Sequence, residues 1–151
     1  FIFYFVIMVI LKALRQPEIF AGITQKETIK YEGSSLSLEQ VESIKERLLD
    51  FIQTQKPHLN PSTSLSELSE NLSVSSKHLS QVINQSFDKS FFDFINSFRI
   101  QEAQKIFRES KDKKLTVLEV MFEVGFNSKS SFNTAFKKET GQTPTQFRNS
   151  V

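Results

Sequence analysis

The chain has 151 residues, enough for one ordinary domain plus an appendage, and its 38% hydrophobic and 24% charged content describes a globular chain rather than a disordered one. It contains no cysteine, which excludes disulfides and thiolate metal sites and permits a reducing compartment. The net charge of +2 says little by itself; its distribution says more, because residues 127–151 carry Lys129, Lys137, Lys138 and Arg148 against Glu139 alone.

Residues 1–11 read FIFYFVIMVIL, an unbroken apolar run followed by Lys12 and Arg15. Eleven helical residues span roughly 16 Å, about half a bilayer core. The reading is that residues 1–15 are the inner end of a final transmembrane helix, with the basic residues placing everything downstream in the cytoplasm. The alternative is a packing helix from a soluble domain. Residues 16–36, punctuated by Pro17, Gly22 and Gly33, read as a juxtamembrane linker without steady periodicity.

From Ser37 the pattern becomes helical. Few Gly and Pro and scattered β-branched residues favour helix over sheet. Ser37-x-x-Gln40 is a capping box, followed by Val41, Ile44, Leu48 and Ile52 at helical spacing, with Pro57 and Pro61 closing the segment. Ser64-x-x-Glu67 opens a second helix with Leu65, Leu68 and Leu72 inward. Ser75 caps a third, lined by Leu79, Val82, Ile83 and Phe87. Ser90-x-x-Asp93 opens a long fourth, at about 91–109, with Phe91, Phe94, Ile95, Phe98, Ile106 and Phe107. Thr116-x-x-Glu119 opens a fifth, with Val117, Val120, Met121 and Val124. Asn127 or Ser128 opens a sixth, with Phe132, Ala135 and Phe136, closed by Gly141. Thr143-Pro144-x-Gln146 opens a short seventh, with Phe147 inward. Phenylalanine must fill much of this core, since 11 of the 16 Phe lie from Phe87 onward and Trp is absent.

Helices two and three repeat as helices five and six. Leu68, Leu72 and Val74 match Val120, Val124 and Phe126 at an offset of 52; Leu79 and Ile83 match Phe132 and Phe136 at 53. Each unit, at about 64–87 and 115–140, is a short helix, a tight turn and a second helix, which is the helix-turn-helix plan. Gly125 suits the second turn because it takes positive φ without steric cost. The outer faces of the second helices carry Lys77, His78, Ser80, Gln81, Asn84 and Gln85, and Lys129, Ser130, Asn133, Thr134 and Lys137, none needed by the core. Such side chains can pair with base edges in a major groove, although for any single residue a merely solvated face explains as much.

The stretch 124–148, VGFNSKSSFNTAFKKETGQTPTQFR, resembles the second helix-turn-helix signature of the AraC/XylS family of bacterial transcription regulators, and 91–107 resembles that family's linker helix. The match covers about 65–149, with the first helix expected to belong to the same domain, 37–151. The resemblance implies an all-α, homeodomain-like fold of about seven helices, with two helix-turn-helix subdomains joined by a long linker helix. It also implies two recognition helices entering successive major grooves. By motif position, base contacts fall to Lys77, Ser80 and Gln81 in the first unit and to Lys129, Ser130, Asn133 and Thr134 in the second. Asn84, Gln85, Lys137, Lys138 and Arg148 read as phosphate contacts, the last three also as salt partners. Ser69 and Met121 depart from the family's small Ala, and Ser73 and Asp88 from its usual glycines. Family members joined to membrane sensors form a class that the opening segment fits.

The expected partners are double-stranded DNA, the membrane through the N-terminal segment, and RNA polymerase as a further candidate; any oligomerisation is expected from regions upstream. No cofactor and no metal are expected. An enzyme is not expected either: His58 and His78 lack metal-ligand spacing to a second histidine, carboxylates are scattered, and no phosphate-cradling glycine loop is present. The rival reading is a membrane-anchored helical protein-interaction module, which explains the helices but neither the paired turns nor the signature. RNA binding fits less well, because the aromatic residues fall at core positions.

Overall fold

The computed structural model describes residues 36–110 and 115–151. Among them are seven α-helices, one short 3₁₀ turn and no strand. The helices are α1 (Leu38–Gln55), α2 (Leu65–Asn71), α3 (Ser76–Phe87), α4 (Phe91–Glu109), α5 (Val117–Glu123), α6 (Lys129–Thr140) and α7 (Pro144–Ser150); the 3₁₀ turn is Pro57–Leu59. The expected membrane segment (1–15) and juxtamembrane linker (16–36) lie outside the described residues, apart from Leu36.

Each α-helix begins where a hydroxyl can receive an otherwise orphaned amide. The caps are Ser37, Ser64, Ser75, Ser90, Thr116, Ser128 and Thr143. Each such cap stabilises its helix by about 1 kcal/mol relative to alanine. The reciprocal box forms at Ser37–Gln40, Thr116–Glu119 and Thr143–Gln146. At Ser90 the hydroxyl instead donates to the Asp93 carboxylate at 2.8 Å while accepting from the Asp93 amide.

The apolar stripes assemble into two cores on one shared helix. The first joins Ile44, Leu48 and Ile52 of α1, Leu68 and Leu72, Leu79, Val82 and Ile83 of α3, and Phe91, Phe94 and Ile95 from the start of α4. The second joins Ile100, Ala103 and Phe107 from the end of α4 with Val120, Met121, Val124, Phe126, Phe132, Ala135 and Phe136. Phenylalanine does most of the filling. Phe132 and Phe136 are fully buried, and rings 107, 126, 132, 136 and 147 meet in edge and tilted pairs with centroids 5.2–6.4 Å apart.

The 57–60 turn, read from sequence only as a place where a helix stops, is a structural strap. Lys56 ends α1 in the left-handed conformation (φ 47°). The chain then runs back so that Leu59 packs against the second core although α1 belongs to the first. His58 is buried at 4% exposure, its ring 5.8 Å from that of Phe98 on α4.

Candidate nucleic-acid interface

The two turns that set the second helices of the units, α3 and α6, share one hydrogen-bond pattern. In the first unit the Val74 amide donates to Ser69 O (2.9 Å) and the Ser73 amide to Glu70 O (3.0 Å). In the second the Phe126 amide donates to Met121 O (3.0 Å) and the Gly125 amide to Phe122 O (3.1 Å). Both are Schellman closures, with the residue after the cap at positive φ. That residue is Ser73 at 49° in one unit and Gly125 at 89° in the other. The repeat inferred at an offset of 52 is therefore a repeat of backbone geometry.

The departures from small residues have local explanations. Ser69 is buried, and its hydroxyl lies 2.8 Å from both Ser66 O and Ser76 Oγ, so it ties α2 to the start of α3. Met121 is buried in the second core. Asp88 sits at φ 51° and closes α3, donating its amide to Asn84 O.

On α3, Lys77 and Gln85 are exposed, while Ser80, His78 and Asn84 are half-buried. Gln81 departs from the expectation: it is buried at 5% exposure, and its side-chain oxygen has no partner. A single helix's periodicity cannot see what the neighbouring elements cover, and Gln81 is not part of the open polar face of α3. Asn84 also has a structural task, since its amide nitrogen donates to Lys89 O at 2.7 Å and helps close α3.

On α6, Lys129, Ser130, Thr134 and Lys137 are exposed and Asn133 is half-buried, so the second unit presents the more continuous polar face. Lys138 is exposed but engaged: its ammonium lies 2.6 Å from the Asp93 carboxylate. That contact holds the Asp93 carboxyl below its ordinary value and raises Lys138. Of the two roles open to Lys138, the structure shows the salt partner. A neighbouring pair that the sequence reading missed, Lys89 with Glu139 at 3.0 Å, also joins the entry to α4 to the end of α6. The signal was absent because the paired residues lie 45 and 50 positions apart. Arg148 on α7 is half-buried within electrostatic reach of Glu119.

The second unit is tied to the strap through Arg99. Its Nε donates to His58 O at 2.7 Å and its Nη2 to Asn60 O at 2.9 Å, while the guanidinium stands 5.3 Å from the centre of the Phe126 ring. Among the described residues no cluster of His, Cys, Asp and Glu could hold a metal ion, and no helix is long and apolar enough to cross a membrane.

Two helix-turn-helix units built on one shared helix, each showing a polar second helix, define a DNA-binding domain of the transcription-regulator class. The family model described as a helix-turn-helix domain matches residues 68–150. The chain is 34% identical over 102 residues to an HTH-type transcriptional regulator of Staphylococcus aureus strain COL, an alignment covering 68% of this chain and 13% of that protein. It is 36% identical over 75 residues to an HTH-type transcriptional regulator of Pseudoalteromonas carrageenovora, covering 50% and 42% of the two chains. Among solved structures, the C-terminal domain of AraT, a response regulator from Geobacillus stearothermophilus, superposes with a TM-score of 0.61 at 30% identity over 78% of this chain and 89% of that one. The C-terminal domain of the response regulator yesN from Fusobacterium nucleatum gives 0.58 at 31% identity, over 69% and 96%. The chain belongs to the AraC-type helix-turn-helix family of transcription regulators. Members of this family are DNA-binding regulators and not enzymes. The chain spans only 13% of the length of the S. aureus relative.

Proposed function

We propose that this domain reads duplex DNA at two sites at once, with α3 and α6 inserted into successive major grooves. The observation that carries the reading is the repeated Schellman turn, which gives both second helices the same local mounting on opposite halves of α4. At 19 residues, α4 is about 28 Å long, on the scale of the roughly 34 Å groove repeat.

In this reading Lys129, Ser130, Asn133 and Thr134 contact bases through the open face of α6, and Lys77 and Ser80 do so from α3. Asparagine can pair bidentately with adenine, lysine donates to guanine or phosphate, and threonine meets a thymine methyl. Gln85, Lys137 and Arg148 contact phosphates and so set position without reading sequence. With Gln81 buried, the first unit has fewer open base readers than the second and is the weaker of the two; Asn84, expected at a phosphate, bonds Lys89 O.

The apolar run of residues 1–11, followed by Lys12 and Arg15, supports a tether to the inner membrane, with the domain on the cytoplasmic side and the signal arriving from upstream. RNA polymerase as a partner and upstream oligomerisation belong to the same proposal. Flotation of the chain with phospholipid vesicles tests the tether: recovery with the lipid supports it, and recovery in the aqueous fraction removes it.

The DNA reading is tested by selecting random duplexes with the chain and measuring affinity against salt. Two motifs about one helical turn apart, with affinity falling steeply as added salt lowers the entropy gained from counterion release, are expected. A single motif would reduce the first unit to a phosphate clamp. No enrichment with salt-indifferent binding would replace DNA by a protein partner.

A further inference from the structure

The shared helix alone is a poor guarantee of the angle between two reading heads, because its halves belong to different cores and a bend near its middle would swing one head against the other. The structure contains a second connection. The strap leaves α1, which is packed in the first core, and delivers Leu59 to the second. At the crossing point Arg99 donates to the carbonyls of His58 and Asn60 and stands over the ring of Phe126, the residue that follows Gly125 in the second turn, 5.3 Å from its centroid. The strap and that turn are in direct backbone contact: a Cβ built on Gly125 would stand 2.7 Å from Leu59 O and 2.9 Å from His58 O. Lys56 adds an ion pair from the start of the strap to Glu102 on α4, at 3.1 Å.

One guanidinium thus touches three parts: the strap from the first unit, its own helix α4 through Asn96 at 3.3 Å, and the turn of the second unit. A planar fork serves two carbonyls and a ring face together; an ammonium supplies a single point of charge. The comparison within the molecule is Arg108, whose guanidinium stands 5.2 Å from the Phe147 ring centre and which, among the described residues, hydrogen-bonds Gln104 and not the strap.

We propose that Arg99 and the 57–60 strap form a lock that fixes the angle between the two recognition helices, making Arg99 a positioning residue for recognition of two sites at a set spacing. The consequence for DNA rests on the two-groove reading above; the mechanical lock does not.

Two measurements separate these claims. The chain has no cysteine, so Glu70→Cys and Glu123→Cys give one spin-label pair across the two units. A single narrow distance peak is expected for the parent. Arg99→Gln should broaden it while far-UV circular dichroism retains the helical signal, and Arg108→Gln should leave it narrow. Arg99→Lys, the gentler change, should broaden it in part, which keeps the idea testable even if Arg99→Gln does not fold. An Arg99→Lys distribution identical to the parent's would overturn the lock.

The second measurement uses the selected two-motif duplex and versions with one base pair added or removed between the motifs. The parent should lose about tenfold or more in affinity on changing the spacing, since a single unfavourable step of this kind is comparable with one mismatched base pair. Arg99→Lys should bind a single-motif duplex as the parent does and lose most of the spacing preference. Retained preference with a broadened peak would refute the positioning role. If the parent binds no duplex while the peak still broadens, the DNA reading fails and the lock stands.

Discussion

Replacing Gly125 by alanine tests the packing of the second turn more sharply than any core truncation. The residue sits at φ 89°, where an L side chain costs about 1–2 kcal/mol. The added methyl would also meet Leu59 O at 2.7 Å, His58 O at 2.9 Å and Leu59 C at 3.0 Å. All three are backbone atoms, and the strap cannot withdraw without surrendering its bonds to Arg99. Forcing a methyl into such a contact costs about 1–3 kcal/mol more. The sum is roughly 2–5 kcal/mol, which at about 4 °C per kcal/mol lowers the melting temperature by roughly 8–20 °C. The control lies inside the molecule. Ser73 holds the equivalent place in the first turn at φ 49° and is exposed, so Ser73→Gly should relieve strain and raise stability by about 0.5–1 kcal/mol. Urea titration of both variants against the parent decides the matter. A Gly125→Ala cost of about 1 kcal/mol or less, no more than the left-handed penalty alone, would show that the turn and the strap do not press on each other.

Acid should loosen the strap. His58 is held below its ordinary value of 6.5, chiefly by burial, with Lys56 and Arg99 adding to the effect and Glu102 opposing it. The unfolded chain therefore takes up the proton more readily. The stability that comes with neutral His58 is complete above pH 6.5 and falls away as pH drops through that value toward the folded-state one. His58→Phe should flatten this part of the stability profile, and an unchanged profile from pH 7 to 5 would remove His58 as its source. Asn133→Ala or Lys129→Ala should relax base preference at one position, at a cost of about 1–3 kcal/mol for a bidentate contact. Lys137→Ala should weaken all duplexes alike and reduce the salt slope by about one; identical behaviour of the three variants would refute the division of roles. Asp93→Asn should release Lys138 and steepen the salt dependence of DNA affinity, whereas an unchanged slope would show that Lys138 never meets the phosphates.

The helices were legible because their starts are local. A hydroxyl three residues before a carboxylate or amide is written in the sequence, and Ser37, Ser64, Ser90, Thr116 and Thr143 each cap a helix; Ser128, without such a partner, caps the sixth where Asn127 competed for it. The repeat was legible because two similar units bury similar side chains at nearly constant offset. What escaped depends on contacts between distant segments. Gln81 carries the composition of a surface residue and is covered by its surroundings. The strap has too few residues to show any period, so nothing marked Leu59 as part of the second core or the His58 and Asn60 carbonyls as the acceptors of Arg99. Lys138 read equally well as a phosphate contact or a salt partner, and only the fold placed Asp93 beside it.

The strap also bears on where the domain starts. The family match opens at residue 68, inside α2, yet Ile44, Leu48 and Ile52 of α1 fill the first core, and the Arg47 guanidinium donates to the Leu72 carbonyl that closes α2. A piece cut at residue 68 would keep both recognition helices and both turns while baring an apolar trough along α3 and α4. It would leave Arg99 facing Phe126 with neither carbonyl to hold. We therefore propose that the smallest self-supporting unit begins at the cap of α1, Ser37, some thirty residues ahead of the recognisable motif. On this proposal a part of the chain that faces no groove would keep the two helix-turn-helix units in one piece.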